Sequence, residues 1–412
     1  MENFVAEIHD LFKTCSCGNH HNDIPIETIM AENGALNKVA SFLAEKSFIS
    51  PKIVADSNTM TAAGDKLTEL LNSAGLAVTS CEVTPDENGD VVADEKALVQ
   101  VLLETGRNSD CMIAVGSGTI HDITRFCSAT LNIPFISIPT APSVDGFTSL
   151  GAPLIVRGVK KTFQMTSPIA VFADIDVLKK APKEMIAAGV GDMIAKYTSL
   201  ADWKFERYAA DVPYCELSAE LTQLALDECV ANIEKIAKAE DEGITILIES
   251  LIKSGIAMLV FGQSHPASGG EHHLSHYWEM DLLKNNRPQV LHGAKVGVTT
   301  ILLSSIYKSE FLNELDNILE NGEIQAKHGK VLANLRENKD KVKEILEAIP
   351  DPESTKRLIE NLGGPVLPNE LGISESLVHD SLKHAHHLRD RYTVLKFLNV
   401  VLQTEYDFAA KA

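Results

Sequence analysis

Five short runs rich in β-branched residues, with helical segments between them, occupy the first part of the chain and then stop. The runs are KIVAD (Lys52–Asp56), LAVTSCEV (Leu76–Val83), CMIAV (Cys111–Val115), FISIP (Phe135–Pro139) and AVFAD (Ala170–Asp174). Apolar residues recur at helical spacing in Thr59–Ala74, Glu95–Thr105 and Ile120–Thr130. Such alternation predicts a parallel sheet covered by helices. After Asp174 only helical patterns remain, over Met185–Tyr208, Glu216–Ala239, Thr245–Phe261, Gly270–Leu283, His292–Ser309, Lys330–Ala348 and Leu377–Leu402. With 412 residues, too many for one ordinary core, the expectation is an α/β domain with a Rossmann-like parallel sheet over residues 1–176 and an all-α domain over 177–412. No low-complexity linker separates them, so the halves should pack closely.

Composition narrows the function classes. Apolar residues make up 45% and charged residues 23%, as in a folded globular protein. The net charge of −20 disfavours nucleic acid and anionic membranes as partners. A small anionic substrate stays compatible, because local donors act at short range while salt screens the distant field beyond about 10 Å. The amino terminus, MENFVAEIHDLFKTCSC, lacks the basic and apolar regions of a secretory signal. The most apolar stretch, Gly243–Gly262, carries Glu249 and Lys253, which predicts a buried helix without stable membrane insertion. Seven scattered cysteines do not make a disulfide framework, and a reducing cytoplasm fits them best. Four possible zinc ligands, Cys15, Cys17, His20 and His21, crowd into CSCGNHH. The Cys-x-Cys spacing is tighter than in common structural zinc sites, and no later segment offers an obvious fourth partner. The expectation there is a soluble arm with free thiols.

Ligands on parallel sheets bind beyond the carboxyl ends of the strands, where this chain places glycines, hydroxyls and acids. Asp56 closes the first run, suited to accept hydrogen bonds from a ribose diol or to cap the next helix. GSGTIHD (Gly116–Asp122) follows the third run and opens a helix, so its backbone N–H groups can approach a pyrophosphate. It is not the Rossmann fingerprint, because His121 stands at the third glycine position. PTAPSVDGFTS (Pro139–Ser149) follows the fourth run with Thr140, Ser143, Thr148, Ser149 and the turn Asp145-Gly146. In the helical half, His272 and His276 lie one turn apart on one helix face. With His292 and Asp192 they make an oxygen-plus-nitrogen set suited to a divalent first-row metal. His384, His386 and His387, beside Arg389–Arg391, are expected to form a mixed surface patch.

Taken together, GSGTIHD, PTAPSVDGFTS, GVGDMIAKYTSLADWK, SGGEHHLSHYWE and LHGAKVGV, in this order, give the sequence a resemblance to a family. It resembles the metal-dependent dehydrogenases that include glycerol dehydrogenase and share a fold with dehydroquinate synthase, and within them the bacterial glycerol-1-phosphate dehydrogenases. The resemblance implies a dehydroquinate synthase-like fold, with NAD(H) or NADP(H) held by Asp56, Gly116, Ser117, Gly118, Thr119, Asp122, Thr140, Ser143 and Ser149. It implies one Ni2+ or Zn2+ held by Asp192, His272 and His292. Asp145, Asp192 and His276 would contact the substrate and serve catalysis. Ser117 stands where many relatives have a third consecutive glycine, so the turn survives only if its φ is negative. The implied reaction is the reversible reduction of dihydroxyacetone phosphate to sn-glycerol 1-phosphate, in glycerophospholipid metabolism, by a cytoplasmic homodimer. Three alternatives stay open: action on unphosphorylated glycerol and dihydroxyacetone, a dehydroquinate synthase-like lyase, and a noncatalytic metal-binding protein. For the phosphate, Lys196, Lys204 and Arg207 are the nearby cations.

Overall fold

The computed structural model describes residues 4–404. Six strands form one parallel sheet in the order β1-β8-β5-β4-β2-β3. They are β1 (Thr28–Glu32), β2 (Pro51–Ala55), β3 (Thr79–Glu82), β4 (Cys111–Gly116), β5 (Phe135–Pro139) and β8 (Ala170–Asp174). Every residue of β2, β4, β5 and β8 is buried, as expected of strands covered on both faces. That double burial is why these strands read as continuous apolar runs. The register pairs Gly116 with Pro139, so the carboxyl ends of β4 and β5 are level and their loops open side by side.

Four strands depart from the sequence reading. The second run begins pairing at Thr79, as β3, rather than at Leu76. The edge strand β1, TIMAE, was not expected; it buries only Ile29 and so carries little strand signal. The antiparallel hairpin of β6 (Gly151–Val156) and β7 (Val159–Gln164) was also missed, because Pro153, Lys160 and Lys161 disguise it.

Beyond Asp174 the named elements are all helical. The expected helix Met185–Tyr208 is two, Lys183–Ile194 and Lys196–Ala210, joined at Ala195. The expected helix Leu377–Leu402 is interrupted: Glu375–His384 gives way to a 3-10 turn at Ala385–His387, and helix resumes at Val394–Phe397. Helix Asp241–Phe261 is long and apolar enough to cross a membrane, yet 72% of its most apolar window is buried inside the fold. The largest core cluster mixes Ile29, Val171 and Ala173 of the sheet with Val190, Leu247 and Leu251 of the helices. Ile8 and Phe12 of helix Phe4–Lys13 join the same cluster.

Backbone meets backbone where helix Lys183–Ile194 crosses helix His292–Ile306. A Cβ on Gly189 would lie 1.8 Å from the Pro142 carbonyl oxygen, and one on Gly293 would lie 1.9 Å from that of Ala188. A Cβ on Gly191 would lie 2.3 Å from the Gly293 carbonyl oxygen. Only glycine permits these approaches. They seat Asp192 and His292 on touching helices, directly against the loop after β5.

Candidate active site

A cavity of about 980 Å3 lies between the carboxyl ends of the strands and the helices that follow. Its walls include Asp56, the Ser117–Thr119 turn, Asp122, Thr140, Ser143, Asp145 and Ser149 on the sheet side. His272, His276 and His292 line the helical side.

On the sheet side, Ser117 has φ −99° and ψ −158°, extended backbone that serine adopts without strain. The turn therefore keeps its shape without a third glycine. Gly118 begins helix Gly118–Leu131, whose free amino-terminal N–H groups border the cavity. A Cβ on Gly116 would meet the Ile120 side chain at 2.6 Å, which accounts for glycine there. His121 is a buried strut, bonded to the Ser117 carbonyl at 2.8 Å and the Ser137 hydroxyl at 2.7 Å. Buried Arg125 donates to Asp122 at 2.9 Å and to the carbonyls of Gly151 and Gly146, tying both loops to one helix. Burial pushes the Asp122 carboxyl up to about 7 despite the opposing pull of Arg125. Asp56 caps its helix, with Oδ1 accepting from the Thr59 N–H at 2.9 Å, while lining the cavity. Capping occupies that oxygen and leaves the residue on the cavity wall.

On the helical side the expected ligands converge. Ligand atoms of Asp192, His272 and His292 lie within 4.8 Å of one another. His272 Nε2 lies 3.6 Å from Asp192 Oδ1, and its Nδ1 lies 2.8 Å from Glu271 Oε1. A carboxylate on the far ring nitrogen is the arrangement that orients a metal-binding imidazole and raises its basicity. The residues therefore fit a divalent ion. A second triad, His276, Glu279 and His292, is equally compact. Glu279 is already neutralised there by Lys160 at 2.7 Å and Lys295 at 3.3 Å, which makes it the weaker ligand.

Charges around Asp192 explain its chemistry. Burial alone would raise its pKa, but Lys196, His272 and His292 overcome that and hold it below the ordinary carboxylate range. Burial, then the Asp192 charge, raises Asp145 instead. Lys196 bridges the pair at 2.7 Å to Asp145 and 3.4 Å to Asp192. The Asp145 backbone N–H also donates to Asp192 at 2.9 Å, and Ser254 donates to the Asp145 carboxylate at 2.8 Å.

His276 completes a triangle with His272 and His292, its ring centroid 6.2 and 5.8 Å from theirs. Burial, reinforced by Lys160 and Arg389, holds its pKa well below 6.5, so the ring is neutral at neutral pH. Arg389 lies 3.2 Å from His276 Nδ1. Because a guanidinium only donates, Nδ1 accepts and the proton sits on Nε2.

Five residues at the site escaped the sequence reading. Glu271 is one; its place directly before His272 in GEHH was the available signal. The Lys160–Glu279–Lys295 cluster is assembled only by the unexpected hairpin. Arg389 was assigned to a surface patch, which the structure corrects: the helix break after His387 turns its guanidinium inward, onto Ser264, Ser268 and His276. Arg389 is half-buried there; Arg391 and His386 are buried, Arg391 against Glu206 at 2.9 Å, while His384 and His387 are exposed. Of the expected phosphate cations, Lys196 is committed to carboxylates, and neither Lys204 nor Arg207 lines this cavity.

Comparison with known proteins settles the ancestry. The chain is 49% identical over 409 residues to glycerol-1-phosphate dehydrogenase (NAD(P)+) of Geobacillus stearothermophilus, covering 98% of this chain and 100% of that protein. It is 50% identical over 406 residues to the enzyme so named from Geobacillus thermodenitrificans, covering 98% and 100%. The chain belongs to the glycerol-1-phosphate dehydrogenase family. Residues 7–182 also match the iron-containing alcohol dehydrogenase family. Among solved structures, a probable glycerol dehydrogenase from Sinorhizobium meliloti 1021 aligns with TM-score 0.64 at 17% identity, covering 89% of this chain and 90% of that one. At that identity the likeness concerns the fold. The family's fold thus recurs here, a parallel sheet followed by helices, with the cavity between them.

Proposed function

We propose that this chain catalyses the reversible, NAD(P)H-dependent reduction of dihydroxyacetone phosphate to sn-glycerol 1-phosphate. One observation carries the substrate assignment beyond family membership: Arg389 reaches the cavity beside His276 with no carboxylate among its hydrogen-bond partners in the described residues. A half-buried guanidinium that faces a cavity without a counter-ion wants an anion. Arg389, with Lys160 and the Ser264 and Ser268 hydroxyls nearby, grips the phosphate in this reading.

Residues 1–176 hold the dinucleotide through Asp56, Gly116, Ser117, Gly118, Thr119, Asp122, Thr140, Ser143 and Ser149, and residues 177–412 supply the metal ligands. Asp192, His272 and His292 hold one divalent ion, Ni2+ or Zn2+, whose three protein ligands leave room for substrate. When bound, the ion supplies Lewis acidity at the carbonyl and the nicotinamide supplies the hydride. The chain's own residues do the rest. His276, neutral and protonated on Nε2, donates a hydrogen bond to the oxygen being reduced, and solvent supplies the proton that oxygen takes up. Lys196 holds Asp145 against the substrate and keeps Asp192 ionised for the metal. The Asp56 carboxylate takes the ribose diol, which favours NADH over NADPH. We place the enzyme in the cytoplasm as a homodimer.

A substrate panel read by NADH absorbance tests this reading. Dihydroxyacetone phosphate should be reduced at least about a hundredfold more efficiently, in kcat/KM, than dihydroxyacetone, since each unpaired buried donor costs roughly 1–3 kcal/mol. Comparable efficiencies would move the chain to action on unphosphorylated polyols.

A further inference from the structure

We propose that Cys15, Cys17, His21 and Cys215 form a closed, four-coordinate zinc site that fastens the amino-terminal arm to the helical half of the protein. The sequence showed only CSCGNHH; the fold supplies the missing ligand from the residue preceding helix Glu216–Ala231. The four candidate ligand atoms all lie within 4.8 Å of one another. Cys15 Sγ is 3.8 Å from Cys215 Sγ, and His21 Nε2 is 3.2 Å from Cys17 Sγ and 3.8 Å from Cys215 Sγ. Tetrahedral zinc with ordinary Zn–S and Zn–N bonds requires S···S edges of about 3.8 Å and S···N edges of about 3.5 Å. His20, adjacent in sequence, is exposed and takes no part.

The surroundings suit bound thiolates. Gly18 has φ +78°, a left-handed turn that sends the Asn19 N–H back toward Cys17 Sγ at 3.4 Å. Asn19 Nδ2 donates to the same sulfur at 3.3 Å and to the Tyr214 carbonyl at 2.9 Å, joining the two ligand-bearing segments. Phe12 packs edge-on against the His21 ring at 5.0 Å. Three thiolates and one divalent ion leave a net charge of −1; Arg207 lines the same hollow, paired with Glu216 at 3.5 Å. All seven cysteines are free thiols, so no disulfide competes for the sulfurs.

Soft sulfur ligands select zinc over the harder ions of an oxygen-nitrogen site, and four protein ligands leave no position for substrate. None of the four residues lines the active-site cavity. The site is therefore structural. It binds only the folded chain and stabilises it by mass action.

Cobalt(II) is the probe. The full-length wild-type chain, kept in a reductant that does not bind metal and loaded with cobalt(II), should show thiolate-to-cobalt charge-transfer absorption in the near ultraviolet. His272→Ala should retain that absorption, because the active-site set contains no sulfur, and Cys215→Ser should lose it. With zinc, wild type should carry one equivalent more than Cys215→Ser. If Cys215→Ser does not fold, the wild type alone decides: zinc should slow alkylation of Cys15 and Cys17 by at least about tenfold relative to chelated protein. Saturating cobalt without thiolate absorption, alkylation indifferent to zinc, or a Cys15–Cys215 disulfide in the reduced preparation would each overturn the site.

Discussion

Around Asp192 the cavity gathers three carboxylates, Asp145, Asp192 and Glu271, against the single ammonium of Lys196. Elsewhere on its wall the cavity carries Arg389 beside His276, and the two ammonium groups of Lys160 and Lys295 against the single carboxylate of Glu279. Buried charge is costly unless paired, so each end is incomplete as it stands. One lacks a cation and the other lacks an anion. A divalent metal and a phosphate are the natural complements, with the neutral His276 between them. Net charge had argued only against large anionic partners; the local asymmetry identifies what the cavity wants at either end.

The sharpest way to break this comparison is to remove the cation from the acidic end. His292→Ala should abolish metal binding and lower kcat/KM by roughly a thousandfold or more, as expected when several kcal/mol of charge stabilisation are lost. Dinucleotide affinity should stay intact, and stoichiometric metal in the variant by elemental analysis would refute the ligand set. The matching experiment at the basic end is Arg389→Ala. Loss of a charged hydrogen bond should lower kcat/KM for dihydroxyacetone phosphate roughly 10- to 100-fold. Activity with dihydroxyacetone should hardly change, and an equal loss on both substrates would mean that Arg389 serves only to orient His276.

A smaller effect separates the orienting carboxylate from the ligands. Glu271→Gln keeps the shape but weakens the hold on His272, so metal affinity should fall about tenfold without changing dinucleotide affinity. Unaltered metal affinity would make Glu271 a packing residue.

The smallest expected effect is a pH dependence of the metal-free chain. Burial alone would lower the His272 pKa, but Asp192 and Glu271 overcome it and raise the value above 6.5. A raised histidine contributes stability that is complete below its unfolded pKa and is lost as pH rises through the folded one. A bound metal takes the proton's place. The melting temperature of metal-free protein should therefore fall relative to metal-loaded protein as pH rises from about 6 upward. A constant gap in calorimetry would show that His272 does not exchange proton for metal.

Much of this arrangement was legible in the chain because burial writes itself into sequence. Strands β2, β4, β5 and β8 are covered on both faces and read as apolar runs; β1 buries one residue and did not. His272 and His276 could be paired because one helix carries both, and the loops after β2, β4 and β5 because parallel sheets present their carboxyl ends together. What stayed hidden depends on chain reversals that leave little compositional trace. The hairpin turns at Arg157-Gly158, with φ 53° and 72°, and brings Lys160 to Glu279 across 119 positions. The break after His387 turns Arg389 inward, and the approach of Cys215 to Cys15 spans 200 positions. Each is a long-range contact that spacing rules do not reach.

Glycines at 189, 191 and 293 have a further consequence for anyone mapping this protein by saturation mutagenesis. They touch neither substrate nor ions in the proposed reaction, yet a side chain at 191 or 293 must push apart the two helices bearing Asp192 and His292, and one at 189 must push the first of them off the loop after β5. Such a map would score them as intolerant as the ligands themselves. Ranking positions by lost turnover would then blend reactive groups with the spacing that holds them. Assaying abundance beside turnover would not separate the two classes if the helices part without unfolding. Bound metal counted per folded molecule, paired with rescue by higher metal concentration, would: a displaced ligand can be partly recovered by mass action, whereas an absent one cannot.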